Sequence, residues 1–440
     1  MDTSISEEEA GLAGSPATHS SPRVPGSARP KHLVALLCAL AVLIPSCTTS
    51  QSSSPPSTCR GVQVRPGTNL QALIESKPRG TTFCFAKGLY LLSGTIQTGQ
   101  KFPTLDLRAG AVIDGQNGGF VGINGPDGPA DKPGTTILGG VFQHFGNEGA
   151  PSWVSPLIVR RNGVVKGTEF KENFNAGLAI QGSNARVSHV DTHHNGRYGL
   201  VVTRPCDGCP GPVGVIVEDS EIAFNNTRML PTGDDAGGTK FSGGTDGMIV
   251  RGNEVHDNYG SGLWWDGFNR NAQVYGNVIR DNRNWGIFWE LSYGGAKIHD
   301  NTLTGNGIGD GTANWYSNVQ LLVSCSDGSV GRIEIYDNTI DGAAYPLGLI
   351  NHSHHPLRTA GVYVHHNLMT LRSSRDEVGA VAFDGLTELF STAANNHFDS
   401  NTYLVTDPGG AHWAWDGQML TWSQWQAAGN DVHGTRRKAG

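Results

Sequence analysis

Charged side chains are scarce in this chain, 16% of 440 residues, against about 25% in an average domain. Its Lys and Arg form no long block and the net charge is −7, so nucleic acid is not an expected partner. No apolar run is long enough to span a bilayer. The run Leu33–Ile44 has 12 residues, and a spanning helix needs about 20. A helical composition is missing as well: Gly is 61 of 440 residues, roughly twice the usual share, which marks a turn-rich β protein.

What stands in front of the fold is a leader. Residues 1–30 are polar and rich in Ser, Pro and Gly, a composition expected to stay disordered. In "KHLVALLCALAVLIPSC" two basic residues precede the apolar run, which suits a signal-peptide core. No A-x-A cleavage site follows. "IPSC" instead resembles a bacterial lipobox, with Cys47 as the lipidated residue and Pro45 an unusual member. An uncleaved anchor or a start codon placed too far upstream is the alternative. Residues 48–58, "TTSQSSSPPST", read as a flexible tether. The expected organisation is a disordered leader plus signal peptide over 1–47, a linker over 48–58 and one domain over 59–434. The chain is expected to be exported, extracellular or a cell-surface lipoprotein, touching membrane only through that anchor, and monomeric.

Seven cysteines are present. Cys38 and Cys47 belong to the leader. Cys59 and Cys84 bracket the first folded segment, and export permits a bridge between them. Cys206 and Cys209 form "CDGC". A zinc site would need two further ligands in a matching knuckle, and none is present, so a local loop disulfide is expected. Cys325 is left over and is expected to be buried.

Internal repeats decide the architecture. "GMIVRGNEVHDNYGSGLWWD", "AQVYGNVIRDNRNWGIFWE" and "AKIHDNTLTGN" align, with Asn253, Asn277 and Asn301 spaced by 24 and Asn258, Asn282 and Asn306 likewise. Each unit carries short alternating apolar segments between Gly and Asn, the pattern of strands. Two or three short strands per 24 residues fit one coil of a parallel β-helix, stacked about 4.8 Å from the next. The repeated Asn should then form ladders that satisfy turn backbone. "TNLQALIES" reads as a capped amphipathic helix, with Leu70, Leu73 and Ile74 on one face, closing the first coil. "DGQMLTWSQWQAAGNDVHG" holds a short Trp-rich helix for the other end.

With "GGTKFSGGTDGMIVRGNEVHDNYGSGLWWDGF" and "NWGIFWELS", residues 59–434 resemble the secreted bacterial right-handed parallel β-helix proteins of the pectate-lyase-like superfamily. The resemblance implies an all-β, single-stranded right-handed parallel β-helix with an N-terminal capping helix. It implies no one activity, because that superfamily holds hydrolases, lyases, epimerases and non-enzymes.

The repeat "GLWWDGF" and "GIFWELS" carries the candidate chemistry. Alternation along a strand sends Leu263 and Trp265 inward and Trp264 and Asp266 outward. One coil later Ile287 and Trp289 point in, and Phe288 and Glu290 point out. Two carboxylates are thus expected on adjacent rungs, with Lys240 of "GTKFS" outward and level with Trp264. Carboxyls roughly 5–6 Å apart repel when both are ionised, so one should keep a proton, the division of labour a glycosidase needs. Asp246 in "GGTDG" is a secondary catalytic candidate. "GTDG" resembles the "NTDG" of polygalacturonases, but where that family has a DD pair this chain reads "WWDGF". Trp264, Phe288, Trp285 and Tyr293, with Trp315 and Tyr316 among the aromatics around the acids, are expected to offer exposed rings to sugar faces. The opposing reading is a ladder of surface acids without function.

Other motifs carry less. "NHSHHP" offers His352, His354 and His355 as metal ligands, or is simply an insertion loop. Asp234 and Asp235 are a weak calcium candidate, and no cofactor is otherwise expected. Asp384 falls near the acid column four coils after Asp266. The expected partner is a polysaccharide or oligosaccharide, and the leading function is a glycoside hydrolase. A polysaccharide lyase or uronate epimerase with Lys240 as base is the second reading. The groove as read is acidic and suits a neutral sugar, whereas the resemblance implies a basic groove, often with calcium, for lyases. A non-catalytic carbohydrate-binding surface protein is the third.

Overall fold

The computed structural model describes residues 59–128, 132–232, 236–307, 315, 318–342, 345–353 and 355–439. The leader, the Cys47 lipidation site, the linker over 48–58, Asp234, Asp235, Tyr316 and His354 lie outside the described residues.

Three short strands and three turns make one coil, and the strands of successive coils pair in parallel. Among the described residues this builds two sheets of 13 strands and one of 11. The first sheet runs from Val62–Val64 to His397–Asp399, the second from Gly88–Leu91 to Thr435–Lys438, and the third from Ile158–Val159 to the hairpin Ala411–Trp415/Gln418–Thr421. The register is the one the repeat demands. Leu263 pairs with Ile287, Val250 with Val274 and Val274 with Ile298, so 24 residues of sequence advance the chain by one rung.

One column of the first sheet points inward: Val217, Val250, Val274 and Ile298, each at the centre of a three-residue strand, and Ile335 of Ile333–Tyr336 are all buried. They meet Phe241, Trp265 and Trp289 of the third sheet, which are fully buried and pack in file, Phe241 on Trp265 and Trp265 on Trp289. Trp265 and Trp289 are core residues, as their alternation demands. The Asn ladders form too. Asn253 Nδ2 donates to Asn277 Oδ1 and Asn277 Nδ2 to Asn301 Oδ1, each at 2.9 Å, while Asn258 repeats the pattern to Asn282 and Asn282 to Asn306 at 2.8 Å. The same Nδ2 groups also reach carbonyls of preceding strands, such as Val217 and Val250, so the buried turn backbone is satisfied.

At the first coil, Asn69 caps the helix Leu70–Ser76 and accepts from the Ala72 N–H, and Leu70 and Ile74 join the core. Cys59 is bridged to Cys84 and Cys206 to Cys209; Cys325 is free and buried. At the other end, Trp425 of the helix Trp422–Ala427 is buried against Phe398. The fold continues past residue 434: Thr435–Lys438 pairs with Thr402–Val405. This strand, "TRRK", is exposed throughout, so it lacks the apolar alternation that betrays a strand in sequence.

Candidate functional site around Asp266 and Glu290

The third sheet brings the two acids together. Asp266 and Glu290 are register partners at the ends of Leu263–Asp266 and Ile287–Glu290, one strand spacing of about 4.8 Å apart along the backbone. Their side chains have different surroundings. Asp266 keeps a quarter of its side chain in solvent and pairs with Lys240 Nζ at 2.7 Å. Lys240 also lies over the Trp264 ring, 3.3 Å from its centroid, so its ammonium is engaged by a carboxylate and by a ring face. Glu290 is only 4% exposed. Its Oε2 accepts from Trp264 Nε1 at 3.0 Å, and its Oε1 lies 3.5 Å from His355 Nε2.

Burial pushes the Glu290 carboxyl above its ordinary value, His355 hydrogen bonding opposes the rise, and the charge of Asp266 adds to it. One acid does hold its proton more tightly than usual, as expected of stacked carboxylates. The larger cause is desolvation, not repulsion. The arrangement therefore sets a buried acid with a raised pKa beside a carboxylate held in an ion pair.

Stacked acids alone do not mark a site in this molecule. On the second sheet, Glu169, Asp191, Glu221 and Glu254 stack on four successive rungs. There Lys171 and His193 pair with Glu169 and His256 with Glu221 on an accessible face. Glu290 differs in being buried.

Three expected sugar-facing rings are misplaced. Trp264, Trp285 and Phe288 are no more than 1% exposed and form a second apolar cluster with Val319, Leu322, Tyr345 and Ile350. Trp264 stacks on Phe288 at 5.6 Å, and Trp285 packs against Phe288 at 4.1 Å. They do point away from the solenoid core, but there they pack on one another, with Trp315, Val381 and Phe383 against them. Outward on a strand is not the same as solvent-facing when other side chains cover it. Tyr293 is accessible, at 37%, and stacks on Phe268, at 50%. Phe268 follows Asp266 by two residues and Tyr293 follows Glu290 by three, so this ring pair sits in the turns just past the acids. The sequence signal for Phe268, an aromatic directly after "WWDG", was available.

Asp246 lies in the turn after Gly237–Ser242, where Arg270 Nε donates to it at 3.0 Å and Asn271 Nδ2 at 2.7 Å. Those partners hold it in a turn-to-turn contact, and none of its recorded partners belongs to the Asp266–Glu290 cluster. His355 lies in the loop after the strand Tyr345–Asn351, two rungs past Glu290, and from that loop it reaches the Glu290 carboxylate. In that loop His352 stacks on Phe383 and its backbone N–H meets Cys325 Sγ, and Asp384 accepts from Ser353 Oγ at 2.7 Å. Among the described residues no group of three or more His, Cys, Asp or Glu is arranged to hold a metal ion.

The outward column is also less uniformly acidic than expected. Arg160 follows Val159, which pairs with Ile180, so it heads the same outward column as Gln181, Thr203, Ser242 and Asp266. Arg204 stands one residue past Thr203, half-exposed.

The residues after Asp266 and Glu290 leave the strand in the left-handed region, Gly267 at φ 83° and Leu291 at φ 46°. Gly243 after Ser242 and Cys325 after Ser324 adopt the same conformation on neighbouring rungs, at φ 77° and 46°, so it is a recurring turn position of the coil.

The family described as "Right handed beta helix region" matches residues 157–340. No curated protein matches the sequence. Similar solved structures include an A-module of mannuronan C-5 epimerase from Azotobacter vinelandii, with a TM-score of 0.53 and 15% identity over 82% of this chain and 90% of that one. XylC in complex with xylose has a TM-score of 0.52 and 10% identity over 80% and 82%. Identities this low speak for the fold alone. The family match spans the coils in which three parallel sheets wind around one core, and the fold of the chain is that of a right-handed parallel β-helix.

Proposed function

We propose that this protein is an enzyme of polysaccharides and that it hydrolyses glycosidic bonds, with Glu290 as the proton donor and Asp266 as the ionised partner. The observation that carries the reading is the asymmetry of the pair. Glu290 is buried with its carboxyl pushed up, and Asp266, one rung away, is held by Lys240. A glycosidase needs that division, one acid to protonate the leaving oxygen and one carboxylate to act as base or nucleophile. The exposed Phe268–Tyr293 pair beside the acids supports a sugar ligand, since rings stack on the apolar faces of sugars.

A lyase or uronate epimerase is the second reading, favoured by two cations: Arg160 in the column of the acids and Lys240, whose ammonium meets Asp266. The fold-level neighbour that is a mannuronan epimerase agrees with it by analogy only. In that reading Lys240 is the base, which requires its ammonium to leave Asp266 and lose a proton. The present ion pair supports the first reading.

A screen over neutral and uronate polysaccharides separates them. New reducing ends without ultraviolet absorbance from a conjugated double bond are expected. That absorbance would mark a lyase, and altered sugar signals by NMR in uncut chains would mark an epimerase. Asp266→Asn and Glu290→Gln should each lower kcat by about 10²–10⁴-fold with an unchanged circular dichroism spectrum. Full activity in both variants would refute the paired-acid mechanism. Glycan binding with no turnover of any kind would leave a binding protein.

The same proposal places the protein outside the cytoplasm, tethered through Cys47. The signal-like run before Cys47 and the two disulfides support it. Fractionation should find the protein in the membrane pellet and Cys47→Ser in the soluble fraction; equal distribution of the two would remove the lipid anchor.

A further inference from the structure

The column that carries the acids closes just past Asp266 and becomes half-buried again only at Val381, three rungs beyond Glu290. Register and backbone hydrogen bonds align Arg160, Gln181, Thr203, Ser242 and Asp266 on successive rungs. All five are half-buried, so each side chain reaches solvent. The next three positions, Glu290, Ser324 and Ile350, are 4%, 0% and 0% exposed.

The closing wall is built from the loop that leaves the strand Tyr345–Asn351. His355 leans back two rungs, about 10 Å, to stand on Glu290. The loop is fastened at several points. Thr359 N–H donates to Asn351 Oδ1 at 2.7 Å, Thr359 Oγ1 donates to the Ile350 carbonyl at 2.6 Å, and the Asp384 carboxylate holds Ser353. Behind it, Trp315 donates from Nε1 to Glu377 at 2.8 Å and packs on Tyr345 at 4.7 Å. The Thr359 bonds are buried and the Trp315 bond is part-buried, so the wall is fastened from within rather than by the sparse contacts of a lid.

Open on one side of the acids and walled on the other, the strip has a direction. We propose that the outward column from Arg160 to Ser242 is a blind-ended binding strip that delivers a glycan chain end to Asp266 and Glu290, so that the protein acts on terminal sugars and not within chains. The inference rests on the enzymatic reading of the acid pair. From Arg160 to Asp266 the strip covers four rung spacings, about 19 Å, enough for several sugars on the open side. Beyond Glu290 the buried Ser324 and Ile350 leave no continuation of the strip. An enzyme cutting within chains needs polymer on both sides of the reacting bond. The far end of the strip is marked by Arg160, whose guanidinium makes one hydrogen bond among the described residues, from Nε to Asn124 at 3.2 Å, and so retains donors for an acidic or hydroxyl group.

The test uses size-defined oligogalacturonides, mannuronate oligomers and xylo-oligosaccharides, free or carrying a fluorophore on the reducing end. Conversion should be confined to one terminal unit from the earliest time points, and polymer viscosity should fall little while small product accumulates. A ladder of mid-length fragments with a rapid loss of viscosity would overturn the chain-end proposal while leaving the enzyme reading intact. No conversion of any glycan would overturn the enzyme reading and this inference with it. For the strip itself, Arg160→Ala should raise KM for hexamers about tenfold more than for dimers, the loss of one charge-assisted contact. An equal effect on both lengths would remove Arg160 from the strip.

Discussion

Glu290 shows at the scale of one residue why position and environment must be separated. Its place on the rung after Asp266 is legible from alternation and the 24-residue repeat alone. Its burial is not, because the covering groups come from elsewhere: Trp264 across the rung and His355 from a loop two coils on. The same gap explains the rings. Trp264, Trp285 and Phe288 read as sugar platforms and are packing, while Phe268, on an unremarked turn, is exposed. Burial of Glu290 has a consequence for stability. Its folded pKa lies above the ordinary 4.5, so the folded protein holds this proton more tightly than the unfolded chain. The stability it contributes is complete below about pH 4.5 and is lost as pH rises through the folded value. Glu290→Gln has no proton to lose. Its melting temperature relative to wild type should therefore be higher at about pH 8 than at about pH 4. A difference that does not change with pH would mean that Glu290 is not strained by burial.

At the scale of the element, each strand is too short to be stable alone, and its identity comes from its neighbours. That is why strand existence was readable wherever the repeat held and unreadable at "TRRK", which is a strand only because Thr402–Val405 offers it an edge. The strand Tyr345–Asn351 makes the same point about function. Its inward residues Leu347 and Leu349 follow the period, but the loop after it is an insertion, and insertions have no partner in the repeat against which to be aligned. His355 and the wall over Ser324 come from that insertion. The scaffold of the site was therefore legible and the chemistry of its wall was not. Outward columns behave similarly on the first sheet, where Tyr275, His299, Tyr336 and His365 stack ring on ring at 4.7–5.1 Å. Their faces cover one another, so this file of aromatics is a stabilising column and offers little face to a sugar.

At the scale of the whole molecule, the question is what makes so long a solenoid one cooperative unit, since stacked repeats contact only their neighbours. Two amide ladders overlap to span most of it. One runs from the Phe145 N–H through Asn173, Asn195, Asn225 and Asn258 to Gln320. The other runs from Ser220 through Asn253, Asn301 and Asn367 to Asp431. In both, each amide donates toward the C-terminal coil, so the bonds share one direction and reinforce one another. The second ends on a buried carboxylate that also accepts from Tyr403 Oη at 2.7 Å and Trp425 Nε1 at 2.9 Å. The first coil, before the ladders begin, has the Cys59–Cys84 bridge and the capping helix instead. Breaking a middle rung should consequently weaken the whole. Asn301→Leu removes the acceptor for two Asn277 groups and the donor to Asn338 and Val274. With buried groups left unsatisfied, the cost should be about 2–5 kcal/mol. Nine of the ten tryptophans lie between residues 264 and 425, so fluorescence reports the centre and far end, while far-ultraviolet circular dichroism reports every coil. If the ladders couple the coils, both probes should shift together to a lower denaturant midpoint in Asn301→Leu. If fluorescence shifts and a second dichroism phase stays at the wild-type midpoint, the coils unfold in separate blocks and the ladders stabilise only their own rungs.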